Sequence, residues 1–141
     1  MEFRHPVGMS WPGVELRRAG AGIDFELADP VVTWIRIDHQ TRLQLGEAEL
    51  VIETPFVLRI NGVDHHLDPA ERRSLGPLVG MYPCSIESLR MQLDGTLVVT
   101  FESGDTLTVA PDDRYEAWNI AGFWCPPGGF SLGDTDGWTL D

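Results

Sequence analysis

From Val31 onward, apolar and polar residues alternate at period two, in short runs separated by Gly, Pro, Asn and Asp. Such alternation sends successive side chains to opposite faces of a half-buried strand, so it predicts an antiparallel β-protein. Turn chemistry then sets the registers. In TRLQLGEAELVIE a two-residue loop at Gly46-Glu47 puts Leu45 opposite Ala48, Leu43 opposite Leu50 and Thr41 opposite Ile52, one coherent apolar face. Glycine in the first loop position suits a type II′ turn. In PFVLRINGVDHHL the Asn61-Gly62 pair predicts a type I′ hairpin. Its register joins Ile60 to Val63, Leu58 to His65 and Phe56 to Leu67, with Arg59–Asp64 and Val57–His66 on the other face. Pro55 has no N–H to give a ladder and belongs at a corner between strands.

Further along, SLRMQLDGTLVVTFESGDTLTV keeps its faces only with three-residue loops, Leu93-Asp94-Gly95 and Glu102-Ser103-Gly104. Met91 then faces Leu97, Leu89 faces Val99, Val99 faces Leu107 and Leu97 faces Val109. Upstream, VVTWIRI offers Val31, Thr33, Ile35 and Ile37 as the core stripe and Val32, Trp34 and Arg36 as the other face. One helix is predicted at 69–75, with Asp68 as N-cap, Pro69 at the first position, Glu71 completing a capping box and Gly76-Pro77 as the stop. The fold expected is all-β: a curved antiparallel meander or partly open barrel with one short α-helix.

A chain of 141 residues fits a single domain, 1–141. Within it, residues 1–30 read as an irregular N-terminal segment with short strands at Val14–Arg17 and Ile23–Leu27. Residues 31–67 form a first hairpin set, 68–80 the helix and a loop, and 81–141 a second meander. That meander closes on RYEAWNIAGFWCPPGGF, where Trp118 and Ile120 read as the core side and Tyr115 and Asn119 as the polar side. Pro127-Gly128 suits a type II turn. Two readings of this aromatic cluster compete. Its rings plug the end of a curved sheet, or Tyr115, Trp124 and Asn119 form a cleft for a ligand or partner.

Charge narrows the partners. Ten basic residues, all Arg, face 22 acidic ones, for a net charge of −12. Beyond Met91 the single base is Arg114. Such a field repels nucleic acid and anionic membrane and attracts basic proteins, besides keeping the chain in solution. The opening MEFRHPVGMSWPG lacks the apolar run of a signal peptide, and no stretch approaches the ~20 apolar residues of a membrane span. A cytoplasmic protein is expected, with Cys84 and Cys125 reduced and buried.

Candidate chemistry is sparse. Asp64-His65-His66-Leu67-Asp68 holds metal-ligating types, but neighbours on a strand point apart, so His65 and His66 cannot easily share an ion. His39 reads as a turn residue. No Gly-x-Ser-x-Gly elbow or phosphate-binding glycine loop is present, so no catalytic residue, metal ligand or cofactor is assigned. A binding role remains. The candidate ligand- or partner-binding residues are Tyr115, Asn119, Trp124, Trp34, Arg36 and Arg59.

The segment DGTLVVTFESGDTLTVAPDDRYEAWNIAGFWCPPGG resembles the C-terminal half of a family of small uncharacterised bacterial proteins. They share a Gly-turn hairpin, then Tyr-Glu-Ala-Trp, then Pro-Gly-Gly. ETPFVLRING with LDP is similar to their middle segment, so the resemblance spans about residues 45–130. In size and acidity these proteins resemble toxin-neutralising immunity proteins. The resemblance implies the fold and a bacterial cytosolic setting, and it carries over no catalytic residue. A non-enzymatic protein that binds a basic partner is expected from the net charge of −12, the absence of Lys, the small size and the missing catalytic motifs.

Two further expectations follow. A small-molecule site would use a barrel interior lined by Trp34, Tyr115, Trp118 and Trp124, with Arg36 or Arg59 fixing an anion. An exposed strand edge at Trp34 would make a homodimer, unless Trp11 and Phe25 fold over it within one chain.

Overall fold

A computed structural model describes residues 12–20 and 22–130. Among the described residues, twelve strands form two antiparallel sheets. β1 (Val14–Ala19), β2 (Gly22–Leu27), β6 (Phe56–Ile60), β7 (Val63–Leu67), β8 (Ile86–Gln92), β9 (Leu97–Phe101) and β10 (Thr106–Val109) make the larger sheet, ordered β1-β2-β8-β9-β10-β6-β7. β3 (Val32–Ile37), β4 (Thr41–Leu45), β5 (Ala48–Ile52), β11 (Trp118–Ile120) and β12 (Phe123–Trp124) make the smaller one, ordered β12-β11-β5-β4-β3. The sheets stay open at their edges and do not close into a barrel. Their inner faces share one apolar core.

The hairpin registers follow the turn residues. Asn61 and Gly62 have φ of 51° and 78°, the pair of left-handed conformations of a type I′ turn, and Phe56–Leu67 through Ile60–Val63 pair as expected. At the neighbouring hairpin Gly46 alone has positive φ, as a II′ turn requires, and Thr41–Ile52 through Leu45–Ala48 pair. Both three-residue loops hold, with Met91–Leu97, Leu89–Val99, Leu107–Val99 and Val109–Leu97 in register. Pro55 stands between β5 and β6, where the chain crosses from one sheet to the other.

Two expectations fail for local reasons. In β3 a bulge at Thr33 shifts the register between Val32 and Trp34, and the Thr33 hydroxyl donates to the Gln44 carbonyl at 3.1 Å. The extra residue turns Val32, fully buried, onto the core face with half-buried Ile35, in place of Val31 and Thr33. The helix also starts late. Asp68 does not cap it; its Oδ1 accepts from Ala70 N at 2.9 Å in a local turn, and its backbone bridges Glu71. Helical structure begins as a 3₁₀ turn at Arg72–Leu75 and continues through Gly76-Pro77 as α1 (Gly76–Val79). Gly76 is right-handed helical, φ −48°, so the dipeptide starts the α-turn instead of stopping it. Proline fits there because a first-turn N–H would be unpaired anyway.

The aromatic stretch supplies the seam between layers. Trp118, Phe123 and Cys125 are fully buried. Phe25 of the large sheet meets Trp118 edge-on at 5.9 Å and Phe123 at 5.3 Å, while Trp118 and Phe123 stack at 6.0 Å. Rings of this size dominate core energetics. The same packing places Phe25 inside the molecule, so it does not fold over Trp34; Trp11 lies outside the described residues.

Candidate functional site

The smaller sheet gathers candidate residues by register alone. Arg36 pairs with Arg42, Arg42 with Val51, Val51 with Asn119 and Asn119 with Trp124, one row across all five strands. The next row runs Trp34–Gln44–Glu49. These residues alternate with the buried Leu43, Leu45, Leu50, Ile52, Trp118 and Ile120, so they occupy the outer face. Four of the six candidates, Trp34, Arg36, Asn119 and Trp124, thereby share one surface. Trp34 is 40% exposed and Trp124 half-buried.

The other two candidates go elsewhere. Arg59 stands on β6 of the large sheet and pairs with Asp64 of β7 at 3.0 Å. Tyr115 precedes β11 in a turn tied by Asp112, whose Oδ1 accepts from the Arg114 and Tyr115 amides at 2.8 and 3.0 Å; Tyr115 is 63% exposed. Trp118, expected in a pocket, lies in the core and donates Nε1–H to the Gly95 carbonyl at 2.8 Å. His65 and His66 point to opposite faces of β7, and His39 lies in the β3–β4 turn. Among the described residues no group of three or more His, Cys, Asp or Glu is placed to hold a metal ion.

Electrostatics organise the row. Arg36 and Arg42 face each other directly, which by itself repels. Asp38 offsets this, with Oδ2 3.4 Å from Arg36 Nε and 3.8 Å from Arg42 Nε. Its Oδ1 accepts the Gln40 amide at 2.8 Å. That backbone bond first, then the charges of Arg42, His39 and Arg36, hold the Asp38 carboxyl below the usual range against the opposing effect of burial. Arg42 reaches Glu49 Oε1 at 2.9 Å and Gln40 Oε1 at 2.6 Å, and Gln40 Nε2 donates to Glu53 Oε1 at 2.6 Å. Beyond Glu53, the Glu116 carboxyl is pushed up, by desolvation first and then by the Glu53 charge. Asp38 and Glu49 thus hold the two guanidinium groups, and with Glu53 on Gln40 and Glu116 beyond it the face keeps an acidic excess.

Neither cysteine is bridged. Cys84 is half-buried, contrary to expectation, because it lies in the loop before β8. Cys125 is buried, and desolvation, then Asp94 and Glu116, push its thiol up to about 12, which makes it inert.

A separate cavity of about 410 Å³ opens between β2 and β8 and contains none of the six candidates. Sequence reasoning missed it, because it arises where two distant strands part.

An open two-sheet β-protein with a filled core and a charged, aromatic-flanked outer face is the class these features define. The chain belongs to a family of unknown function, DUF6188, whose model matches residues 23–129. No curated protein and no solved structure matches the chain.

Proposed function

We propose that this protein is a binding module for a basic protein, of the immunity-protein kind in size and acidity, and that the outer face of the small sheet is its contact surface. The observation that carries this reading is the row Arg36–Arg42–Val51–Asn119–Trp124, with Trp34 beside it, displayed outward over a filled interior. Trp and Arg are favoured interface anchors, and acidic margins speed encounter with basic partners. The barrel interior that a small-molecule site required is occupied by Phe25, Trp118 and Phe123. A cytoplasmic setting agrees with two free thiols.

The test is capture from a host-cell lysate on immobilised protein. Wild type retains a basic protein at low salt and releases it at high salt, and Trp34→Ala with Trp124→Ala retains less. Failure to retain any basic protein at low salt contradicts the reading.

Self-association is a second reading, favoured by one observation. β3 is an edge strand, and its Trp34 and Ile37 are 40% and 38% exposed. An unprotected edge pairs readily with a second chain, and twofold symmetry brings β3 against its own copy.

A further inference from the structure

The cavity in the large sheet has a topological cause. The β2–β8 ladder runs Gly22–Gln92, Ile23–Met91 and Asp24–Arg90, then stops. The two chain segments meet again only at the Val31–Ser85 bridge, where Ile86 N–H also donates to the Pro30 carbonyl at 2.7 Å. Between those fastenings lie residues 25–30 on one side and 86–89 on the other. The longer segment must arch away from the shorter one. A bulge at Glu87 in the β8–β9 pairing adds to the mismatch. The sheet is therefore open at this point and closed at both ends, around about 410 Å³.

The lining has two parts. Phe25, Ile86 and Leu89 are buried and Leu27 half-buried, so one part is apolar. Asp24, Glu26 and Glu87 form the outward part. Arg90 holds Asp24 at 3.3 Å and Arg17 holds Glu26 at 2.7 Å, but Glu87 forms no ion pair among the described residues. Glu15, directly opposite Glu26 on β1, adds another carboxylate. Ladder alternation adds a backbone acceptor. Ala19–Gly22 closes a two-residue hairpin, so Ile23 and Phe25 turn their peptide groups away from β1. Ile23 finds Met91, and the Asp24–Arg90 pair uses the Phe25 N–H and the Leu89 carbonyl; the return bond of that rung, from Leu89 N–H to the Phe25 carbonyl, is missing, so the Phe25 carbonyl faces the gap. Buried peptide groups require partners.

We propose that this cleft binds a lysine or arginine side chain carried by an extended segment of a protein partner. A long aliphatic stem lies along half-buried Leu27, over the buried Phe25 and Leu89, and a donor-only cationic head meets Glu87 and the Phe25 carbonyl. The proposal rests on the reading of the protein as a binder of basic partners and locates a contact outside the small sheet.

The experiment titrates two capped tripeptides, acetyl-Val-Arg-Val-amide and acetyl-Val-Gln-Val-amide, into the isotope-labelled full chain and follows backbone amide NMR shifts. The arginine peptide shifts Phe25, Leu27 and Leu89. The glutamine peptide, and the arginine peptide on Glu87→Arg, bind at least about tenfold more weakly, a factor of one charged contact. Glu87 is exposed, so that variant keeps its fold, checked by an unchanged melting curve. Equal response to both peptides, shifts confined to other strands, no response, or indifference to Glu87→Arg overturns the cleft. Lysate capture reports separately on the broader reading: a protein that captures a basic partner yet fails these titrations keeps that function and loses this site.

Discussion

The indole Nε1 of Trp118 donates a 2.8 Å hydrogen bond to the carbonyl of Gly95, fastening β11 of the small sheet to the β8–β9 loop of the large one. Gly95 can take no side chain there. Its φ is +104°, and a Cβ would stand 2.9 Å from Cys125 Sγ. Downstream, Phe130 N–H donates to the Asp94 carbonyl at 2.9 Å, so the Pro-Pro-Gly-Gly segment closes over the same loop.

Trp118→Phe leaves the Gly95 carbonyl without its donor and is expected to cost about 1–3 kcal/mol from that loss, with more from the smaller ring. Gly95→Ala is expected to cost about 1–3 kcal/mol through its backbone alone. Urea unfolding checks both. Midpoints within error of wild type would remove this contact from the account.

Glu116 is raised by burial and by Glu53, so its folded pKa lies above its unfolded value. The folded state then binds the proton more tightly, and the associated stability is present below the unfolded pKa and lost as pH rises through the folded one. Glu116→Gln is therefore expected to raise the melting temperature slightly at pH 7, with the difference shrinking as pH falls toward the usual glutamate value of 4.5 and absent below it. A lower melting temperature at neutral pH would reverse the sign of this argument.

Cys125, with its thiol pushed up to about 12 and no exposed surface, is expected to resist a thiol reagent in the native protein while half-buried Cys84 reacts. By the same sign rule, stability falls as pH rises from the usual thiol value of 9.0 toward 12. Two rapidly reacting thiols in the native state would contradict the buried position.

Light scattering addresses self-association. A dimer through β3 becomes a monomer on Trp34→Glu, because a charge replaces the apolar surface at the edge. A wild-type monomer, or a dimer that survives the substitution, removes the proposal.

The hairpins were legible because Asn61, Gly46 and the loop glycines each demand a backbone conformation that fixes a register one residue at a time. Thr33 and Glu87 were not, since a bulge leaves the hydrophobic pattern almost intact while changing which residue faces inward. The late helix start was obscured because Asp68-Pro69-Ala70-Glu71 suits a turn as well as a cap. The division into two sheets could not be read, because alternation says which face is buried and nothing about which sheet covers it. Four site candidates were recognised singly as exposed aromatic, amide or cationic positions. Their meeting depends on Val51 pairing with Asn119, residues 68 positions apart, which no local pattern encodes. Arg59 was legible as the partner of Asp64, and that pairing is what removes it from the site.

Hydrogen–deuterium exchange of the full chain, with and without its captured basic partner, tests the central claim most directly. The account predicts slower exchange in β3, β4, β5 and β11, the strands that carry Trp34, Arg36, Arg42, Val51 and Asn119. Protection confined to β6 and β7, around Arg59 and Asp64, with the small sheet unchanged, would contradict it.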